Sequence, residues 1–212
     1  AFLAMADMMS IAGRKNPFAA VQAFRSAFAA EDTRVQLIVK IANAHRDVAA
    51  QEQLKALVAG HPQILLLDES LDRPTLNRLL DSVDCFVSLH RSEGFGLVIA
   101  EAMARGKVVV ATDWSGNTDF MNAHNALPVD YELVTLQADA GPYRQGERWA
   151  EPSQEDAVAK MRQVVADAGL RVSLGRRARQ DIVAQLTPPA VAELQKSRLN
   201  WLMHAQHAAK QV

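Results

Sequence analysis

The chain has 212 residues, 49% hydrophobic and 22% charged, with ten glycines and eight prolines, which excludes disordered, collagenous and low-complexity classes. With 23 Lys and Arg against 24 Asp and Glu, the formal net charge is -1, so no global field draws it to nucleic acid or an anionic membrane. The single cysteine, Cys85, cannot form an internal disulfide and fits a reducing cytoplasm. No run approaches the roughly 18 apolar residues of a membrane span. Residues 1–10 lack the basic region and cleavage pattern of a signal peptide. They also lack an initiator Met and enter an apolar run at once, which reads as a fragment cut at a domain edge.

Strands and helices alternate along the chain. Residues 2–7 form the first apolar run. Asn16-Pro17 reads as an N-cap with proline at the first helical position, followed by the stripe Phe18, Val21, Phe24 and Phe28 of a helix ending near residue 30. Strands are expected at 35–41, 63–67, 84–89, 107–111 and, more weakly, 126–129. The helices between them fall at 46–59, 75–82, 95–105 and 118–122, with Gly106 closing the fourth of the five as a C′ glycine. Residues 130–152 carry Gly141-Pro142, Gly146, two tyrosines and Trp149, and read as a long ordered loop. Three helical patterns close the chain at 154–168, 171–185 and 189–211. Arg171, Arg176, Arg177 and Arg179 read as a solvated helix face.

This rhythm predicts an α/β fold: a doubly wound, Rossmann-like parallel sheet of about six strands with C-terminal helices. Residues 1–152 form its core, and 153–212 complete it. The expected strand order 3-2-1-4-5-6 reverses between strands 1 and 4, outside whose carboxyl ends ligands bind. Strand 1 leads into residues 7–15 and strand 4 into 90–96, the two connections richest in chemistry. Gly94 and Gly96 flank Phe95 where a helix begins, and a helix N-terminus suits phosphate. Glu93 precedes this turn, and Glu101 lies about 8–9 Å further along the helix axis. An anion site between two hydroxyl acceptors describes a nucleotide sugar. Two solvated surface glutamates are the plainer reading.

Residues 92–104, Ser-Glu-Gly-Phe-Gly-Leu-Val-Ile-Ala-Glu-Ala-Met-Ala, resemble the Glu–seven residues–Glu motif of the retaining glycosyltransferases of family 4. The likeness extends over essentially the whole chain and corresponds to the C-terminal, donor-binding half of a two-domain GT-B fold. Residues 113–117, 125–129 and 149–152 fit the branch acting in bacterial polysaccharide assembly. The resemblance implies a hexosyltransferase with a nucleotide sugar as donor, no further cofactor, no metal, no nucleic-acid partner and a glycan or lipid-linked acceptor. It implies that Lys15 binds the donor diphosphate, that Glu93 lies near the transferred sugar, and that Glu101 holds the ribose. Backbone N–H groups of Phe95, Gly96 and Leu97 would meet phosphate and sugar, with Gly94 in the same turn. Ser10 stands where the family has an arginine, and Arg14 is a candidate replacement. The N-terminal acceptor domain would be missing, so this chain alone would be inactive. The whole protein would be cytoplasmic, with attachment at the inner membrane face through its other parts.

Other readings compete. A non-catalytic nucleotide-sugar-binding or scaffolding module, or a sugar-nucleotide epimerase of related fold, would use the same pocket. A nicotinamide site would need Gly-x-Gly-x-x-Gly after strand 1 and an acidic residue after strand 2, and neither is present. His204 and His207, three apart on one helix face, are candidates for a metal pair, but with no third ligand nearby they read as surface histidines. His90 either faces the site or bonds loop backbone. In the last helix, Leu199 and Met203 share one face and Trp201 points nearly opposite. One face is expected on this domain's core and Trp201 exposed or covered by another domain.

Overall fold

The computed structural model describes residues 1–209, with side chains through 203. Six parallel strands, β1 (Phe2–Asp7), β2 (Leu37–Ala42), β3 (Ile64–Asp68), β4 (Cys85–Ser88), β5 (Val108–Thr112) and β6 (Leu127–Val129), pair in the order β3-β2-β1-β4-β5-β6. This is the predicted order, and β1 has the predicted bounds.

Alternation along each strand sends successive side chains to opposite faces. Phe2, Ala4, Val39, Val87 and Val110 pack on one face against α2 (Pro17–Ala27), α3 (Val48–Val58) and α6 (Gln154–Ala166). Leu3, Phe86, Val109 and Ala111 pack on the other against α4 (Arg73–Ser82), α5 (Leu97–Ala104) and α7 (Ala168–Leu186). Burial on both sides explains why these strands read as unbroken apolar runs. The predicted stripe of α2 is seated there: Phe24 meets Phe2 edge-on at 5.8 Å and Phe28 at 5.1 Å. Such pairs contribute about 0.5–1.5 kcal/mol each beyond their area. Cys85 is buried among them, and burial pushes its thiol pKa up.

Several expectations are corrected. Residues 130–152 are not a loop. They form an antiparallel hairpin, β7 (Tyr131–Thr135) with β8 (Arg148–Pro152), in which Leu133 faces Ala150 and Val134 faces Trp149. The helix expected from residue 95 starts at Leu97, because Gly96 takes φ +87° and serves as its left-handed N-cap. Asn16 precedes Pro17 as expected, but its side chain accepts no capping hydrogen bond. It sits at φ +51° and closes a one-turn helix, α1 (Ala12–Lys15), through its N–H on Ala12 O.

The last helix, α8 (Pro188–Ala209), also departs from expectation. Trp201 is 57% exposed, as expected, with the Arg198 guanidinium 4.2 Å over its ring. Leu199 and Met203, on the face expected to reach the core, are 60% and 54% exposed. Apart from half-buried Ala190 and Val191 near its start, the side chains of α8 described through Met203 are exposed. The side chains of His204 and His207 lie outside the described residues. Among the described residues, no helix is long and apolar enough to cross a membrane.

Candidate functional site

A pocket of about 500 Å³ opens at the carboxyl ends of β1 and β4, where the strand order reverses. Asp7, Ser10, Lys15, Lys40, Glu93 and the run Phe95, Gly96, Leu97, Val98 and Ile99 line it, over Met5, Phe86 and Ser88. The β1 connection runs through a 3-10 turn (Met8–Ser10) into α1. Ile11, between them, holds φ +65°, a conformation that costs a β-branched residue about 1–3 kcal/mol. Its carbonyl accepts the N–H groups of both Arg14 and Lys15, so the strained residue anchors the turn that presents them.

Lys15 is ion-paired with Glu93 across the two connections, and Arg14 Nη1 lies 3.6 Å from the same carboxylate. Arg14 otherwise serves the backbone: Nε donates to Ser10 O at 3.1 Å and Nη1 to Ser92 O at 2.7 Å. It does not line the pocket. Gly96 turns the chain into α5, whose first-turn N–H groups at Leu97, Val98 and Ile99 have no intrahelical acceptor and border the cavity. Glu101, one turn on, is not among the lining residues, and its carboxylate pairs with Arg73 Nη2 at 2.5 Å. The structure thus joins Lys15, Glu93, Phe95, Gly96 and Leu97 in one cavity, holds Arg14 behind it, and leaves Gly94 in the turn.

Several residues that build the site were not singled out from sequence. Glu93 N–H donates to Ser115 Oγ at 2.7 Å, and Gly116 N–H donates to Glu93 O at 3.1 Å. The segment after β5 therefore clasps the Glu93–Phe95 turn. Arg91 joins three segments: it donates from Nε and Nη2 to Glu151 at 2.6 and 3.0 Å and from Nη1 to Gly13 O at 2.7 Å, beneath the Trp149 ring. The hairpin thereby ties down both connections that carry the site. Lys40 is a further cation in the cavity wall. A lysine inside an otherwise apolar strand is itself a signal, since an unpaired charge there is costly.

His90 resolves to the second of its two readings. It is fully buried, with Nδ1 3.0 Å from Ser88 Oγ and Nε2 3.1 Å from Trp114 O and 3.0 Å from Asn117 Oδ1. Burial, the largest cause, lowers its pKa below the ordinary 6.5. The unfolded chain therefore binds more protons as pH falls through 6.5. This stability is present above pH 6.5 and is lost as pH falls toward the folded value. The chain is therefore expected to be less stable at pH 5.5 than at pH 7 on account of this residue. Urea unfolding at the two pH values measures it, and a His90→Gln chain should lose that part of the dependence. Identical pH slopes in both chains would refute the assignment.

Among the described residues, no three His, Cys, Asp or Glu side chains are grouped as metal ligands. Residues 8–181 match the family model of the glycosyl transferases group 1. The chain belongs to that family. Comparison with curated protein sequences finds no match. Among solved structures, the C-terminal domain of the group 1 glycosyl transferase LpcC from Francisella tularensis aligns with a TM-score of 0.65 at 16% identity, over 88% of this chain and 86% of that one. TarM of S. aureus gives 0.65 at 17% identity, over 92% of this chain and 34% of that one. The pneumococcal O-GlcNAc transferase GtfA, solved with UDP and GlcNAc, gives 0.63 at 17%, over 95% and 35%. At such identities the likeness is one of fold, the Rossmann-like sheet described above. This group 1 glycosyl transferase chain spans about a third of the length of TarM and GtfA.

Proposed function

We propose that the chain is the donor-binding half of a retaining, family 4 hexosyltransferase of GT-B architecture, moving a sugar from a nucleoside diphosphate to a glycan or lipid-linked acceptor in polysaccharide assembly. The observation that carries the reading is the convergence of the Lys15–Glu93 pair and the α5 N-terminus on one cavity at the switch point. The family match and the alignment with a C-terminal domain over most of both chains support it. So does the UDP bound in a structure of the same fold.

In this reading the diphosphate lies before the first turn of α5, where unpaired N–H groups and the helix dipole oppose its charge. Lys15 adds a charge-assisted contact to the departing phosphate, where negative charge grows in the transition state. Glu93, released from Lys15, accepts hydroxyls of the sugar being transferred. Glu101 receives the ribose in place of Arg73. Arg14 holds the loop carrying Lys15 against Ser92, a supporting part beside uncharged Ser10. The donor sugar nucleotide is the only small molecule required. An acceptor-binding domain completes the cleft, and this chain by itself does not transfer sugar. The protein works in the cytoplasm, reaching the inner membrane face through its other parts. Residues 1–152 carry the nucleotide site, α6 and α7 close the domain, and α8 faces the acceptor half.

Calorimetry with UDP, GDP and ADP and their sugars tests this. Glu101→Ala should weaken both the bare diphosphate and the nucleotide sugar by about tenfold, because both contain ribose. Glu93→Ala should weaken only the nucleotide sugar, since Lys15 is then free for phosphate. Equal losses on both ligands in both variants would overturn the placement.

A further inference from the structure

Lys40 lies within β2, in register with Met5 of β1 and Leu67 of β3, and with Met5 and Phe86 it floors the cavity. It is only 7% exposed and borders the cavity with Lys15, Ser10 and Glu93. Among the described residues its ammonium makes no hydrogen bond and no ion pair within 4 Å. Asp7 and Asp68, at the ends of β1 and β3, act on it at longer range only. Asp7 is instead engaged by the Met9 N–H and the Asn43 amide, and Asp68 by Gln51.

The other cations near the cavity are already committed. Lys15 is paired with Glu93, and Arg14 spends its guanidinium on the Ser10 and Ser92 carbonyls. Ser10 brings a hydroxyl and no charge. A part-buried ammonium whose counter-charges, Asp7 and Asp68, act only at longer range is poorly balanced in the free protein and gains most from an anion that enters the cavity beside it. Burial lowers the Lys40 pKa in the same sense.

We propose that Lys40 is a donor-binding residue whose ammonium reaches the diphosphate of the nucleotide from the β2 side of the cavity, as a second cation to Lys15. This rests on the reading of the cavity as a nucleoside diphosphate site. A neutral apolar side chain of similar length fits the strand, so Lys40→Met should fold with an unchanged or higher melting temperature. Calorimetry with UDP, GDP and ADP on the unmodified chain selects the tightest binder. Lys40→Met should then weaken that ligand by about tenfold or more, and Lys40→Arg by less than about threefold.

A change under threefold in a folded Lys40→Met chain overturns the role of Lys40 and leaves the site reading intact. Binding of none of the three diphosphates by the unmodified chain overturns the site reading, and the role of Lys40 with it. If Lys40→Met melts lower, the unmodified chain decides. With lysine side chains isotopically labelled and the Lys40 ammonium signal assigned by its loss in Lys40→Arg, that signal should move on adding the diphosphate. A signal unmoved at saturation refutes the contact.

Discussion

Replacing Lys15 with alanine is expected to weaken nucleoside diphosphate binding by about 10- to 150-fold, the equivalent of about 1.5–3 kcal/mol for one charge-assisted contact. The side chain is mostly sheltered and held beside Glu93 by their ion pair. Its removal takes away a cation and leaves a sheltered carboxylate facing the incoming phosphates. Arg14, 3.6 Å from that carboxylate, limits the damage to the fold. The loss should therefore fall on ligand affinity more than on stability. Calorimetry on the variant, alongside its urea midpoint, separates the two, and an unchanged affinity would remove Lys15 from the diphosphate site.

Gly116→Ala should be more damaging to the molecule as a whole. A Cβ on Gly116 would stand 2.1 Å from Gly94 O, 2.6 Å from Gly94 C and 2.8 Å from Phe95 Cα. All three are backbone atoms, so no side chain can rotate away, and the turn between Glu93 and Gly96 must move. The hydrogen bond from Gly116 N–H to Glu93 O moves with it. A cost of about 3 kcal/mol is expected, or a fall of roughly 6–12 °C in melting temperature, together with loss of diphosphate binding. Gly94→Ala is the contrast, because nothing lies within 4 Å of the Cβ it would gain. It should melt within about 1 °C of the unmodified chain. Comparable melting points for the two variants would show that the 115–117 segment does not clasp the turn.

The sheet was legible in sequence because each strand is a compact apolar run and each helix between strands carries a local stripe or cap. Phe18, Val21, Phe24 and Phe28 announced α2, and Gly106, at φ +70°, ended α5 as expected. The hairpin was hidden for a physical reason. Its strands are short and half-buried, and residues 136–147 between them bend through Gly141 and Gly146 rather than a two-residue turn. The cluster of glycine, proline and aromatic residues looked like loop.

Within the site, what could be read locally was read: Lys15, Glu93 and the glycine turn belong to two short connections. What depended on distant partners was not. Glu101 meets Arg73, 28 residues earlier, and Arg91 meets Glu151, 60 residues later. No spacing rule links such pairs. His90 stood at a strand end with two readings until its burial against Trp114 and Asn117 decided between them. Lys40, a charge within an apolar strand, is an oddity that the sequence itself displays.

The division of labour between α6 and α7 has a consequence for synthesis on the ribosome. Ala157, Met161 and Val164 of α6 cover one face of the sheet, while Ala178 and Ile182 of α7 cover the other. Gly175 packs so closely on Gly106 that a Cβ there would lie 2.1 Å from the Gly106 carbonyl oxygen. A nascent chain that has completed all six strands and the hairpin still lacks a cover on each side. At roughly 5–20 residues per second, the remaining residues through Leu186 take about 2–7 s to be made. For that interval only the parts of each face that α2 to α5 cover are sheltered, and the apolar strips awaiting α6 and α7 stay open to chaperones and to neighbouring chains.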